Sequence, residues 1–337
     1  MKRDSPKYVT ARVVAQYRGK YRVLHKNEEY WAEVTGKIMY TAESQLDYPV
    51  VGDKVSIISL GYGNGLIDKI LPRKSILERR AVGKTDVQPI AANVDTAFIV
   101  QAVDRDFNLN RFERYLTIVK AGKIKPVLVL NKIDLIPPEE LEDKLSLVKS
   151  RFKDINLLTT SAFKPNGDKY LAQAIKKGKI YCLLGSSGVG KSSLINKLLG
   201  QELIKTRAIS ATTKKGQHVT THRELFVLKG GGMVIDNPGM REVGVADAGE
   251  AVADVFSDIS ILARDCKFSD CTHDHEIGCA VLAALKSGQL SEEQYLNYIK
   301  LKKETDYYAM SKLEKRRKDK SFGKMVKTAM KQIKSLK

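Results

Sequence analysis

"KIYCLLGSSGVGKSSLINKLL", residues 179–199, joins an apolar run to a glycine-rich loop and then to a helical pattern. The loop, Gly185, Ser186, Ser187, Gly188, Val189, Gly190, Lys191, Ser192 and Ser193, satisfies GxxxxGK[ST] in full. The run before it reads as a buried strand, and SSLINKLL after it as a helix. That context gives the loop its chemistry. Glycines let backbone N–H groups wrap an anion, and the helix N-terminus directs positive charge at it. Lys191 is placed to reach the β- and γ-phosphates of a nucleotide, and the Ser192 hydroxyl to hold Mg²⁺. The expected fold here is a phosphate-binding α/β sheet.

About fifty residues downstream, the strand GGMVID ends in Asp236-Asn-Pro-Gly239. An acid at a strand end followed by glycine is how such domains reach the magnesium and sense the γ-phosphate. Upstream, the apolar run PVLVL leads directly into Asn131-Lys132-Ile-Asp134. The Asp134 carboxylate can accept two hydrogen bonds from the guanine N1–H and amino group, a donor pair that adenine lacks. Asn131 would support the base and its loop, and the Lys132 stem would lie along the ring. Thr160-Ser161-Ala162 follows the next strand pattern, where a backbone N–H can meet the guanine O6. Every part of a guanine-nucleotide site is present, yet the base loop precedes the phosphate loop. A circular permutation accounts for that order, because domain ends often lie close together at the surface. The cut falls just after the DxPG segment, so that loop leads straight into the C-terminal part of the chain.

Around this centre the chain changes rhythm twice. Residues 93–245 alternate strand and helix patterns, among them TAFIVQAV, NLNRFERYLTIVKAG with its asparagine cap, and PPEELEDKLSLVKSRF, as expected of a parallel sheet covered by helices. Residues 1–72 instead hold five short β-rich runs, YVTARVVAQY, KYRVLH, EYWAEV, DKVSII and GLIDKIL, consistent with an all-β OB-fold barrel. Residues 73–92 carry no clean periodicity and read as a linker. From residue 246 onward the pattern is mostly helical.

Three of the four cysteines crowd into Cys266-x4-Cys271-x-His273-x5-Cys279. Three thiolates and one imidazole suit a closed, structural, tetrahedral zinc site, with His275 as an alternative to His273. Cys182, in the strand before the phosphate loop, reads as core. The chain of 337 residues carries 58 Lys and Arg against 39 Asp and Glu, a net charge of +19, which points to a polyanionic partner. Residues 315–337 contribute ten of those bases and one acid. They read either as a solvated tail or as a basic amphipathic helix facing RNA or an anionic membrane. The N-terminal MKRDSPKYVT lacks the apolar core of a secretory leader, and no apolar run is long enough to span a membrane. A cytoplasmic monomer is expected.

With NKID, TSA, GSSGVGKSS, GQHVTTHREL, DNPGMRE and the Cys/His cluster in one chain, the sequence resembles the circularly permuted, ribosome-small-subunit-dependent GTPases, the RsgA/YjeQ/YloQ family. The resemblance covers essentially the whole chain. It implies a GTP hydrolase with one structural zinc and Mg²⁺-bound GTP. It also implies binding to the small (30S) ribosomal subunit and its 16S rRNA during late maturation, with hydrolysis stimulated by the subunit. Met240 stands where classical small GTPases place a water-orienting glutamine. The resemblance implies His218 as the catalytic residue instead, although it also reads as an ordinary loop histidine. Thr220 is the expected switch threonine on Mg²⁺, with Thr221 as the alternative, because Val219 replaces the first of the three threonines usual after the histidine. A rival reading is an RNA-binding assembly factor for which GTP is mainly a conformational ligand.

Overall fold

The protein, analysed as a computed structural model, is described over residues 8–80, 87–104, 107–204, 223–236 and 248–311, with isolated positions beyond. His218, Thr220, Gly239, Met240 and most of the basic tail lie outside the described residues. The chain divides into two compact units, residues 1–244 and 245–337.

The first five strands are β1 (Tyr8–Gln16), β2 (Tyr21–His25), β3 (Glu28–Val34), β4 (Lys54–Gly61) and β5 (Asn64–Ile70). They pair in the order β1-β2-β3-β5-β4, and β4 returns to β1, so the sheet closes into a barrel. Alternation decides which side chains fill it. Ala11 and Val13, Tyr21 and Val23, Ala32 and Val34, Val55 and Ile57, and Ile67 face inward as one buried cluster. Each fully buried aliphatic side chain among them contributes ~1.5–3 kcal/mol. A short helix α1 (Gly36–Thr41), not anticipated from the sequence, adds Ile38 to that core.

The stretch read as a linker contains an antiparallel pair, β6 (Ile76–Arg80) and β7 (Val87–Ala92). Its register shifts between Leu77 and Glu78, and Glu78 is the partner of Pro89. A bulge tolerates a residue with no N–H to donate. The end of β7 meets the barrel where Ala92 N–H donates to the Val51 carbonyl at 2.9 Å. Gly52 is obligatory there: its φ is +96°, and a Cβ would lie 2.1 Å from the Ala92 carbonyl oxygen.

Beyond it come β8 (Thr96–Ala102), helix α2 (Leu109–Ala121), β9 (Lys125–Asn131), α3 (Pro138–Arg151), β10 (Leu157–Thr159), α4 (Lys169–Ala174), β11 (Ile180–Leu184), α5 (Lys191–Leu199), β12 (Glu224–Val227) and β13 (Met233–Asp236). Their order across the sheet is β10-β9-β8-β11-β13-β12. All neighbours are parallel except β12, which runs antiparallel to β13 and pairs with β1 at Ala15↔Glu224. Strands β8, β9 and β11 are buried along most of their length, as strands sandwiched between helices must be. The permutation is visible in this order: β11 is central, yet its neighbour β8 is made far earlier. The winding reverses between β8 and β11, and that switch point is where ligands bind in open α/β sheets.

The second unit contains α6 (Gly249–Val255), α7 (Ser257–Ala263), α8 (Ala280–Lys286) and α9 (Glu292–Ala309). Phe256, Ile259, Val281 and Leu301 are fully buried there, and Phe256 packs edge-on against Tyr298 at 5.4 Å. Among the described residues no helix is long and apolar enough to cross a membrane.

Candidate nucleotide site and metal centre

Five parallel strands deliver their C-terminal ends to one edge of the sheet, carrying Ala102, Asn131, Thr159, Leu184 and Asp236. The loop after β11 turns through three left-handed glycines, Gly185 (φ +147°), Gly188 (φ +89°) and Gly190 (φ +95°). A Cβ on Gly185 would lie 2.2 Å from the Val100 carbonyl oxygen, and one on Gly190 would lie 2.3 Å from Asn131 Nδ2. The glycines are thus fixed by what packs behind the loop as well as by what the loop can hold. Lys191 opens α5, is buried, and donates Nζ to the carbonyls of Gly185 (2.8 Å) and Ser186 (2.7 Å). Burial pushes its ammonium down to about 8, against the attraction of Asp236. That cation is poorly satisfied by two carbonyls and gains from an anion in the loop. Ser187 and Val189 lie between those glycines, and Ser192 and Ser193 follow in the first turn of α5.

Asn131 joins the three loops. It is buried, donates Nδ2 to the Val189 carbonyl at 2.8 Å, and accepts at Oδ1 from the Thr160 hydroxyl at 3.0 Å. One amide therefore ties the Asn131–Asp134 loop to the Gly185–Ser193 loop and to the Thr160–Ala162 loop. Lys132 holds left-handed backbone (φ +63°) and pairs with Asp104 at 3.0 Å. Asp134 accepts from the Ser161 hydroxyl at 2.5 Å, and that Ser161 oxygen accepts from the N–H groups of Phe163 and Lys164. Lys197 of α5 donates to the carbonyls of Ala162 (3.0 Å) and Lys164 (2.9 Å). The four pieces read from the sequence, Asn131–Asp134, Ser161–Ala162, Gly185–Ser193 and Asp236, lie around one edge.

Asp236 ends β13. Burial raises its pKa, Lys191 lowers it, and Glu224, its register partner on β12, raises it. Asp236 and Ser192 offer oxygen donors, which suit Mg²⁺.

Two contributors were not anticipated from the sequence. Tyr115, on the buried face of α2, hydrogen-bonds the Ser186 side chain. Glu224 is brought opposite Asp236 only by strand register. An amphipathic pattern marks Tyr115 as inward-facing but not what it meets, and no local signal assigns a register.

In the second unit Cys266, Cys271, His273 and Cys279 bring one donor atom each to within 4.8 Å of one another. His273 Nδ1 lies 3.6 Å from Cys266 Sγ and 3.5 Å from Cys279 Sγ, and those sulfurs are 3.8 Å apart. A tetrahedron with Zn–S near 2.3 Å and Zn–N near 2.0–2.1 Å places sulfurs ~3.8 Å apart and sulfur ~3.5 Å from nitrogen. The residues fit a zinc ion, and His273 is the histidine in the cluster. Glu276 shapes the loop that carries them. Its carboxylate accepts from the N–H groups of Thr272 (2.7 Å), Asp274 (3.0 Å) and His275 (3.2 Å) and from the Thr272 hydroxyl. Those bonds, the Thr272 hydroxyl first, hold it well below the usual carboxylate range. Tyr295 of α9 donates to the His273 carbonyl at 2.7 Å. Cys182 is fully buried, and burial pushes its thiol up to about 12.

Comparison with known proteins agrees with this architecture. The family model described as RsgA GTPase matches residues 70–246. The small ribosomal subunit biogenesis GTPase RsgA of Opitutus terrae is 41% identical over 316 residues, covering 90% of this chain and 86% of its own. RsgA 1 of Bacteroides thetaiotaomicron is 40% identical over 318 residues, covering 94% and 88%. The crystal structure of YjeQ from Thermotoga maritima superposes with a TM-score of 0.65 at 27% identity, covering 88% of this chain and 98% of that one. The switch-point site, its permuted strand order and these relatives agree: the chain is a GTP-hydrolysing enzyme and belongs to the RsgA GTPase family.

Proposed function

We propose that this GTPase acts in biogenesis of the small ribosomal subunit, binding the 30S particle and its 16S rRNA late in maturation. In this reading the subunit stimulates hydrolysis, and the nucleotide state controls binding and release. The names of the Opitutus and Bacteroides relatives support the process, and the net charge of +19 supports an RNA-rich partner. The observation that carries the site is the Asn131 amide, bonded at once to the phosphate loop and to Thr160. That link supports a reading in which Asp134, hydrogen-bonded by Ser161, meets the base of a nucleotide whose phosphates sit on Gly185–Ser193.

Each role follows from chemistry. Asp134 reads the guanine edge, Lys132 lines the ring, and Ala162 offers its backbone to the base. Lys191 and the loop N–H groups hold the phosphates. Ser192, Asp236 and Thr220 would hold Mg²⁺, which neutralises charge on the β- and γ-oxygens. Gly239 senses the γ-phosphate, and His218 orients the attacking water in place of the glutamine that Met240 cannot supply.

Turnover measured with and without small subunits tests this, beside co-sedimentation in GDP and in a non-hydrolysable GTP analogue. Subunits are expected to raise turnover strongly, and His218→Ala to lose that rise while GTP affinity stays nearly constant. Equal turnover with and without subunits overturns the reading, and unchanged stimulation in the variant removes His218.

A further inference from the structure

One row of side chains crosses from the barrel into the nucleotide-binding sheet. Arg22 on β2 and Glu224 on β12 are both register partners of Ala15 on β1, and Glu224 is in turn the partner of Asp236 on β13. Directly paired residues project from the same face of a sheet. Arg22, Ala15, Glu224 and Asp236 therefore form a line across four adjacent strands. On its far side Arg22 is paired with Trp31 of β3, which is 48% exposed and packs against Tyr17. The row thus runs from the outer surface of the barrel to the metal end of the nucleotide site.

Only the Ala15 methyl stands between Arg22 and Glu224 in this row, and the two close an ion pair over it. Their side chains are 26% and 23% exposed, so salt screens the pair less than a surface pair. Glu29 lies 3.6 Å from the same guanidinium. At the inner end Asp236 faces Glu224 as a like charge and Lys191 as an opposite one. The charge left on Glu224 is therefore felt at Asp236, and Arg22 sets how much is left.

We propose that Arg22 of the barrel is a positioning residue for GTP hydrolysis, acting through Glu224. By holding and neutralising that carboxylate it fixes the negative charge that the Asp236 end of the site presents to the nucleotide phosphates and their metal. The inference rests on the reading that Asp236 serves the metal of bound GTP. With Arg22 removed, more of the Glu224 charge would repel the triphosphate and attract the divalent cation. Removing Glu224 would do the reverse on both counts.

The test uses the full-length chain and two readouts: affinity for a fluorescent GTP analogue in EDTA, and the Mg²⁺ concentration giving half-maximal hydrolysis. Arg22→Gln is expected to weaken Mg²⁺-free binding and lower the Mg²⁺ requirement, each by on the order of threefold to tenfold. Glu224→Gln is expected to strengthen the first and raise the second. The double variant should behave as Glu224→Gln alone, since Arg22 has nothing left to act through. Arg22→Lys, which keeps the charge, should stay near wild type. Single variants that move both readouts in the same direction, together with the melting temperature, overturn the inference. So does an Arg22→Gln effect that survives unchanged beside Glu224→Gln. Asp236→Asn separates the two levels. If it leaves the Mg²⁺ requirement unchanged, the underlying reading of Asp236 fails. If it raises the requirement while the Arg22 and Glu224 variants are silent, the inference alone fails.

Discussion

Lys191 carries the clearest pH signature. Its folded amine sits at about 8 rather than the usual 10.5 because it is buried. Between those values the unfolded chain binds more protons than the folded one, so stability without ligand rises with pH across that window. Phosphates seated in the loop favour the ammonium form. GTP binding should therefore take up a proton at pH 8 and above, and affinity should fall as pH rises through the window. Titration calorimetry in buffers of different ionisation enthalpy measures the uptake, and binding without proton uptake at pH 8.5 contradicts it. At this scale the sequence was informative wherever neighbours in the chain carry the chemistry. Gly185–Ser193 and Asn131–Asp134 are such runs, and they sit at the C-terminal ends of β11 and β9. Glu224 could not be read that way, because its meaning comes from a strand partner twelve residues away.

The zinc loop behaves as an element whose shape is set from inside. Glu276 gathers three N–H groups and a hydroxyl of residues 272–275, which include His273. Groups that orient metal ligands typically govern 10–100-fold in affinity. Glu276→Ala should therefore lower zinc affinity by on the order of tenfold or more, read by competition with a chromophoric chelator, and an unchanged affinity would refute it. The cluster was legible because four soft donors crowd into fourteen residues; Glu276 looked like any acid. The barrel strands were legible from their period of two. The pair β6–β7 was not, since Glu78, Arg79 and Pro89 break the alternation and the bulge absorbs the proline. Helix α1 spans only six residues, too few for a helical period to register.

Over the whole molecule, charge governs the proposed partnership. With +19 on the chain, each phosphate neutralised releases counterions, so the logarithm of subunit affinity should fall linearly with the logarithm of salt concentration. A slope of several units between low and physiological salt is expected from co-sedimentation at graded KCl, and a flat profile would exclude an electrostatic footprint. The α/β layering was apparent from the alternation of patterns, and so was the rotated order of the site. How the barrel joins that sheet was not, because the joint depends on one register pair, Ala15↔Glu224, and on the close approach of Gly52 to Ala92.

The position of β11 also has a history in time. A ribosome making this chain releases β8, β9 and β10 before the strand that belongs beside β8 exists. Until residues 180–184 emerge, the inner edge of β8 is an unpaired apolar ladder, the kind of surface that recruits neighbouring chains. The sheet edge that carries Gly185–Ser193 is thus completed by a strand that joins β8 late. Nascent chains stalled before residue 180 should be the aggregation-prone species, and none of them can yet hold nucleotide.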